Sequence, residues 1–170
     1  MVLPTLPPAV DDPSDLATFT GPLPFSEIVD RVRLHYDDGC FACGRANTQG
    51  LGIDHFELEG EVVGARFRSQ PQHRGTFGVV HGGLTAAALD EIMAWSGIVL
   101  ANVLCVTANL QIRFRKPVPL DRDLAIRGWL DSRSGRRLQC RGELLLDGEV
   151  AAEGSGLYVV AHRVADLLGI

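Results

Sequence analysis

Several features that would assign a function class outright are missing from this sequence. There is no excess of positive charge: 16 Lys and Arg stand against 21 Asp and Glu, giving a net charge of −5 and a pI of about 5.5. That removes any overall attraction to nucleic acid or to an anionic membrane. There is no complete metal signature. Cys40 and Cys43 form one C-x-x-C, which is half of a zinc site. No second pair and no His pair accompanies it, and His35 and His55 are weak completions. A redox role would need a thioredoxin-like context, which is also absent. The pair is expected to close a metal-free structural loop, with Cys105 and Cys140 as small buried residues in apolar strands. The longest apolar run, 92–106, is too short to span a bilayer, and extending it backward meets Asp90 and Glu91. The first residues, MVLPTLPPAVDDP, lack a basic start and are broken by prolines, so no signal peptide is expected. No repeat is visible. Together these absences lead us to expect a soluble, reduced, cytoplasmic protein with no cofactor and no nucleic-acid or membrane partner.

What is present fits one packed domain. The chain has 170 residues, 46% of them hydrophobic, enough for a real core. Residues 1–24 are rich in Pro and Asp without periodicity and read as an N-terminal extension, leaving 25–170 as a single domain. Within it, 25–36 has Phe25, Ile28, Val29 and Val32 at helical spacing. Two strands, 53–59 and 62–69, flank a turn at Gly60. A glycine loop then leads into a helix from His81 to about Leu100. Four strands follow: 107–116, stopped by Pro117; 123–132; 138–146; and 150–160, after the hairpin signal Asp147-Gly148. This is not the strand–helix alternation of a parallel sheet. It predicts an α+β fold, an antiparallel sheet wrapped around one long central helix.

The stretch 73–95, HRGTFGVVHGGLTAAALDEIMAW, carries the chemistry. His73 to Gly78 reads as a flexible loop. Gly82 and Gly83 leave the backbone bare where the helix begins, exposing unpaired amides and the positive end of the helix dipole, a place for a carbonyl oxygen or oxyanion. The helix is apolar nearly all round and so must be buried. Yet Asp90 and Glu91 lie inside it, and a buried charge needs a partner or a task. Asp90 is favoured for function and Glu91 is a substitute for it. His81, although able to titrate near neutrality, is read as holding the glycine loop. Asp90 lies roughly 12 Å along the helix from Gly82. One helix cannot bring both to a single atom, so a two-fold dimer, or a dimer of dimers, is expected to combine Gly82 of one subunit with Asp90 of the other. Basic residues near strand ends, above all Arg136 and Arg137, suit phosphoryl groups.

Strands, then His81-Gly82-Gly83-Leu84-Thr85-Ala86 with Asp90, then long antiparallel strands: this order resembles the hotdog-fold acyl-CoA thioesterases of the phenylacetate-degradation type. The entry loop Cys40-Phe-Ala-Cys43-Gly…Asn47-Thr-Gln-Gly50-Leu51 and the strand end Arg113-Phe-Arg-Lys-Pro-Val118 are similar to bacterial members, and the resemblance covers about residues 37 to 160. It implies hydrolysis of an acyl-CoA or other acyl thioester. Gly82 N–H would polarise the carbonyl, Asp90 would act as general base or nucleophile, and the hydroxyl of Thr107 would place the attacking water. His81, Gly83, Glu91, Arg136 and Arg137 would border the substrate. Many relatives carry an Asn or Gln six residues before the histidine; here Gly75 stands there, leaving the second donor to His73, Arg74 or Thr76 or missing. A hotdog hydratase or dehydratase using His81 with Asp90 or Glu91, and a non-catalytic acyl-CoA-binding dimer, are the competing readings.

Overall fold

The computed structural model describes residues 24–35 and 38–169. The chain runs α1 (Phe25–His35), β1 (Asp54–Glu59), β2 (Val62–Arg68), α2 (Gly82–Ala101), β3 (Val103–Phe114), β4 (Asp123–Ser134), β5 (Arg137–Leu146), β6 (Glu149–Arg163) and α3 (Val164–Leu168). The strands form one antiparallel sheet of six in the order β1-β2-β4-β5-β6-β3. The expected α+β architecture is what the chain adopts. Of the expected extension 1–24, residues 1–23 lie outside the described residues.

α2 packs against β2, β3, β4, β5 and β6. By length and composition alone it could cross a membrane; here Leu89, Ile92, Met93 and Trp95 are buried in the core. Each such side chain taken from water contributes about 1.5–3 kcal/mol. Three glycines lie beneath the helix and leave its side chains and backbone in the space that a Cβ would take. Gly128, Gly142 and Gly154 are paired in register across β4, β5 and β6. A Cβ at Gly128 would fall 2.7 Å from Ser96 Oγ and 2.8 Å from Ile92 O, and at Gly142 or Gly154 it would fall 3.1 Å from the Met93 side chain. The row is a bare track for the helix.

Several boundaries differ from expectation, and one short helix is added. β3 starts at Val103, because Asn102 ends α2 in the left-handed region, its N–H capping Gly97 O, and the chain turns at once into the sheet. β4 and β5 continue to Ser134 and from Arg137, so the polar stretch between them is a hairpin around Gly135 and Arg136. α3 was not foreseen: five residues are too few to show periodicity.

The segment 73–78 is also more ordered than a flexible loop. Two single 3-10 turns occupy Pro71–His73 and Thr76–Gly78. His73 is buried, its Nδ1 accepting from Gln70 N–H at 3.1 Å and its Nε2 lying 3.2 Å from Gly50 O. Its carbonyl accepts His81 N–H at 2.9 Å, which ties the loop to the start of α2. Phe77, with φ 58°, stands 99% exposed at the tip.

The helix track can be tested with Gly128→Ala. The new methyl meets backbone, which cannot swing aside, so the variant should lose about 2 kcal/mol of stability in urea denaturation.

Candidate active site

The start of α2 is built around one histidine. His81 is the N-cap: its Nδ1 accepts the Gly83 N–H at 2.9 Å, and its carbonyl takes Leu84 N–H at 2.9 Å and Thr85 N–H at 3.2 Å. A Cβ at Gly83 would lie 3.0 Å from His81 Nδ1, so a side chain there would push on the capping ring. Three of the first amides are thus satisfied. Among the described residues, the Gly82 amide alone of that first turn has no acceptor. It borders an open depression lined by Val80, Phe114, Lys116 and Val118, and it carries the positive end of a 20-residue helix.

Two turns further on, Asp90 leans toward the other end of the sheet. Thr107 Oγ1–H and Tyr158 O–H both donate to Asp90 Oδ1, each at 2.8 Å. Thr107 and Tyr158 are directly opposed residues of β3 and β6. An irregularity in the pairing just after Thr107 is the device that re-aims side chains at strand edges. Burial first, then the Asp90 charge, pushes the Tyr158 phenol above its ordinary range, so it stays a donor. Both hydroxyls bind the same carboxylate oxygen. Oδ2 has no hydrogen-bond partner among the described residues.

Tyr158 was missed in the sequence. A tyrosine in an apolar strand needs a partner for its hydroxyl, which is a signal that a group waits above the sheet, though not which group. Its ring lies over Gly156, where a Cβ would fall 2.6 Å away.

Glu91, about 100° round the helix, turns elsewhere. Its Oε1 accepts Trp95 Nε1–H at 2.9 Å. It lines a cavity of about 450 Å³ with Cys40, Cys43, Arg33, Trp95 and Leu104. Burial, then the Cys40 charge, raises its pKa to about 7. Cys40 is the more acidic thiol: hydrogen bonding from Cys43 brings it down to about 5 against the opposing effect of burial, while Cys43 is pushed up. Burial raises Cys105 and Cys140 to about 12. The structure brings Asp90 and Thr107 together and sets His81, Gly82 and Gly83 at the helix start, with Glu91 in a separate compartment. Met93 lies in the core and Trp95 beside Glu91.

Arg136 and Arg137 sit at the β4–β5 hairpin. Arg137 pairs in register with Val159, next to Tyr158. Arg136 donates through Nε and Nη2 to Val160 O at 3.2 and 2.9 Å. Arg115 and Lys116, by contrast, are held by Glu153 and Glu149. Gly75 has no room for a side chain, since a Cβ would fall 2.7 Å from His81 Cα; with His73 turned inward, neither supplies a second side-chain donor.

Residues 77–152 match the family model described as Thioesterase superfamily. The acyl-coenzyme A thioesterase THEM4 of Bos taurus is 32% identical over 122 residues, 68% of this chain and 49% of that protein. Over residues 77–152 this chain is similar to the thioesterase superfamily, and its fold is the hotdog. Solved hotdog structures superpose on it. One is a phenylacetic acid degradation-related protein from Ralstonia eutropha, with TM-score 0.61, 24% identity, and coverage of 76% of this chain and 98% of that one. Another is a Streptococcus mutans protein solved bound to acetyl CoA, with TM-score 0.61, 18% identity, and coverage of 65% and 90%. At these identities they show the fold. The chain spans about half the length of the curated relatives it matches.

Within the hotdog domain, Tyr158→Phe should cost about 2 kcal/mol, the net worth of a hydrogen bond to a charged group, as read by thermal or urea unfolding. Thr107→Val should cost less, because Thr107 is exposed.

Proposed function

We propose that this hotdog domain hydrolyses an acyl-CoA thioester. The observation that carries the reading is the Asp90 carboxylate, held at Oδ1 by two hydroxyls and open at Oδ2. An oriented carboxylate with one oxygen free suits a general base or a nucleophile. The Gly82 amide supplies the complementary part, a preorganised donor for the oxygen that becomes negative as the carbonyl is attacked.

In the hydrolytic step a water oxygen bonds to the thioester carbon. Its proton passes to Asp90 Oδ2, the carbon–sulfur bond breaks, and the proton is returned to the departing thiolate. Direct attack by Oδ2 would instead break the carbon–sulfur bond to give an anhydride and the free thiolate; water then opens the anhydride at the aspartyl carbon, releasing the acid, and its proton goes to the thiolate. The roughly 12 Å between Gly82 and Asp90 on one helix means that the two groups must come from two copies. The edge position of β3 supports such a pairing: its twelve residues carry exposed Val106 and Phe114, and an uncovered strand edge is a template for a second one. Arg137 makes no ion pair among the described residues and is exposed beside the Tyr158 row, where it would meet a phosphoryl group of CoA. CoA-bound relatives of this fold fit that choice of thiol.

His81 favours hydrolysis over hydration, because a neutral ring that accepts the Gly83 N–H at Nδ1 carries its proton on Nε2 and has no free nitrogen to act as the base a hydratase needs. Gly75 is the observation on the side of a binder without turnover.

The test is a panel of acyl-CoAs with thiol release followed, and sedimentation to establish that the protein is a dimer or larger. Asp90→Asn should lower kcat by about a hundredfold or more. Equal turnover would remove Asp90 from the mechanism, and tight binding without thiol release would establish a binder. A single turnover in heavy-oxygen water should place the label in the acid if Asp90 is a base, and in Asp90 itself if it attacks. Arg137→Ala should raise KM for acyl-CoA by about threefold to tenfold, consistent with loss of roughly 1 kcal/mol at an exposed ion pair, and leave KM for the matching pantetheine thioester unchanged.

A further inference from the structure

The second carboxylate of α2 belongs to a constellation that thioester hydrolysis does not use. Cys40 Sγ, Cys43 Sγ and a Glu91 carboxylate oxygen all lie within 4.8 Å of one another. They meet at the wall of the 450 Å³ cavity. The two cysteines stand in a C-x-x-C-G turn whose Ala42, Cys43 and Gly44 amides converge on Cys40 Sγ. Gly44 N–H also closes the turn on Cys40 O at 2.9 Å. Only glycine can stand at 44, since a Cβ would fall 2.3 Å from Asp38 O and 2.5 Å from Cys40 N.

The turn is held from outside as well. Leu51 and Ile53 amides donate to Phe41 O and Ala42 O, each at 2.9 Å, and the buried Arg33 guanidinium donates to Cys43 O. The sulfurs are therefore fixed before any ligand arrives. Amides aimed at a sulfur, and Trp95 Nε1–H aimed at the Glu91 carboxylate, are the outer partners that orient and charge-stabilise metal ligands.

We propose that Cys40, Cys43 and Glu91 bind one thiophilic divalent cation of the zinc class. Two sulfurs and one carboxylate oxygen favour zinc over calcium or magnesium, which take oxygen ligands. Tetrahedral bonds of about 2.3 Å to sulfur and about 2.1 Å to oxygen set ligand atoms roughly 3.5–3.8 Å apart. Closure from spacings of 4.8 Å or less needs a movement of up to about 1.3 Å. A second, independent observation lies on the wall of the same cavity. Arg33 is 4% exposed, its Nε–H has no acceptor, and it lines the cavity wall. Three protein ligands leave one position of a tetrahedral ion for an outside group. A buried donor beside that position would be satisfied by an oxygen-bearing fourth ligand such as hydroxide or a small carboxylate. The third protein ligand lies 48 residues beyond Cys43, so no C-x-x-C or His-pair spacing announces it.

The test uses the full chain, stripped with a chelator under reductant and titrated with cobalt(II). One equivalent should produce an ultraviolet thiolate-to-cobalt charge-transfer band that zinc then erases. Cys40→Ser and Cys43→Ser should abolish the band. Glu91→Gln should weaken binding by at least the roughly tenfold that loss of an outer partner costs. On unmutated protein, so that misfolding of a variant cannot decide the matter, zinc should protect Cys40 and Cys43 from iodoacetamide and leave the labelling of Cys105 and Cys140 unchanged. Absence of a charge-transfer band, a band that survives both serine variants, or equal labelling with and without zinc overturns the proposal. So does a protein that takes up no cobalt and instead forms a Cys40–Cys43 disulfide in air.

Discussion

The closeness of α2 to the sheet is the constraint on which the rest depends. With Cβ atoms at Gly128, Gly142 and Gly154 the helix would have to rise off the strands, because Ile92, Ser96 and Met93 already occupy that space. Close packing sets the depth of Asp90. Tyr158 reaches its carboxylate at 2.8 Å from two residues beyond Gly156, on the strand that carries Gly154. A lifted helix would break that hydroxyl bond and the one from Thr107. Interiors pack like solids rather than liquids, so the change would be felt at both hydroxyls.

Much of this was legible in the chain. The period of apolar residues separates the helices from the strands, and the all-round apolarity of 82–101 says that this helix is enclosed. His81-Gly82-Gly83 marks a helix start with an amide to spare. What escaped reading depends on which residues stand side by side across strands. The glycine track exists only once Gly128, Gly142 and Gly154 are in register. Tyr158 becomes the partner of Asp90 only because it faces Thr107 on β3. Between strands far apart in sequence, such as β3 and β6, antiparallel register is set by the sum of side-chain packing, and between the hairpin neighbours β4, β5 and β6 it rests on their turns. Gly75 is the converse case. Its identity could be read directly, but the reason, a backbone pressed against His81, could not.

Asp90 and Glu91 show how adjacent positions on one helix serve two compartments. A step of one residue rotates a side chain by about 100°, so the first meets the hydroxyls of β3 and β6 and the second meets Trp95 and the cysteine turn. Neither is paired with an Arg or Lys among the described residues, although this chain spends many of its arginines on surface ion pairs. The choice of partner matters chemically. A guanidinium forks onto both oxygens of a carboxylate and leaves little for anything else. A hydroxyl or an indole N–H occupies one lone pair and fixes the direction of the rest. Two carboxylates restrained by neutral donors, Asp90 by two hydroxyls and Glu91 by Trp95 and Cys43, are what a helix would carry if both sides of it were meant to receive a further ligand.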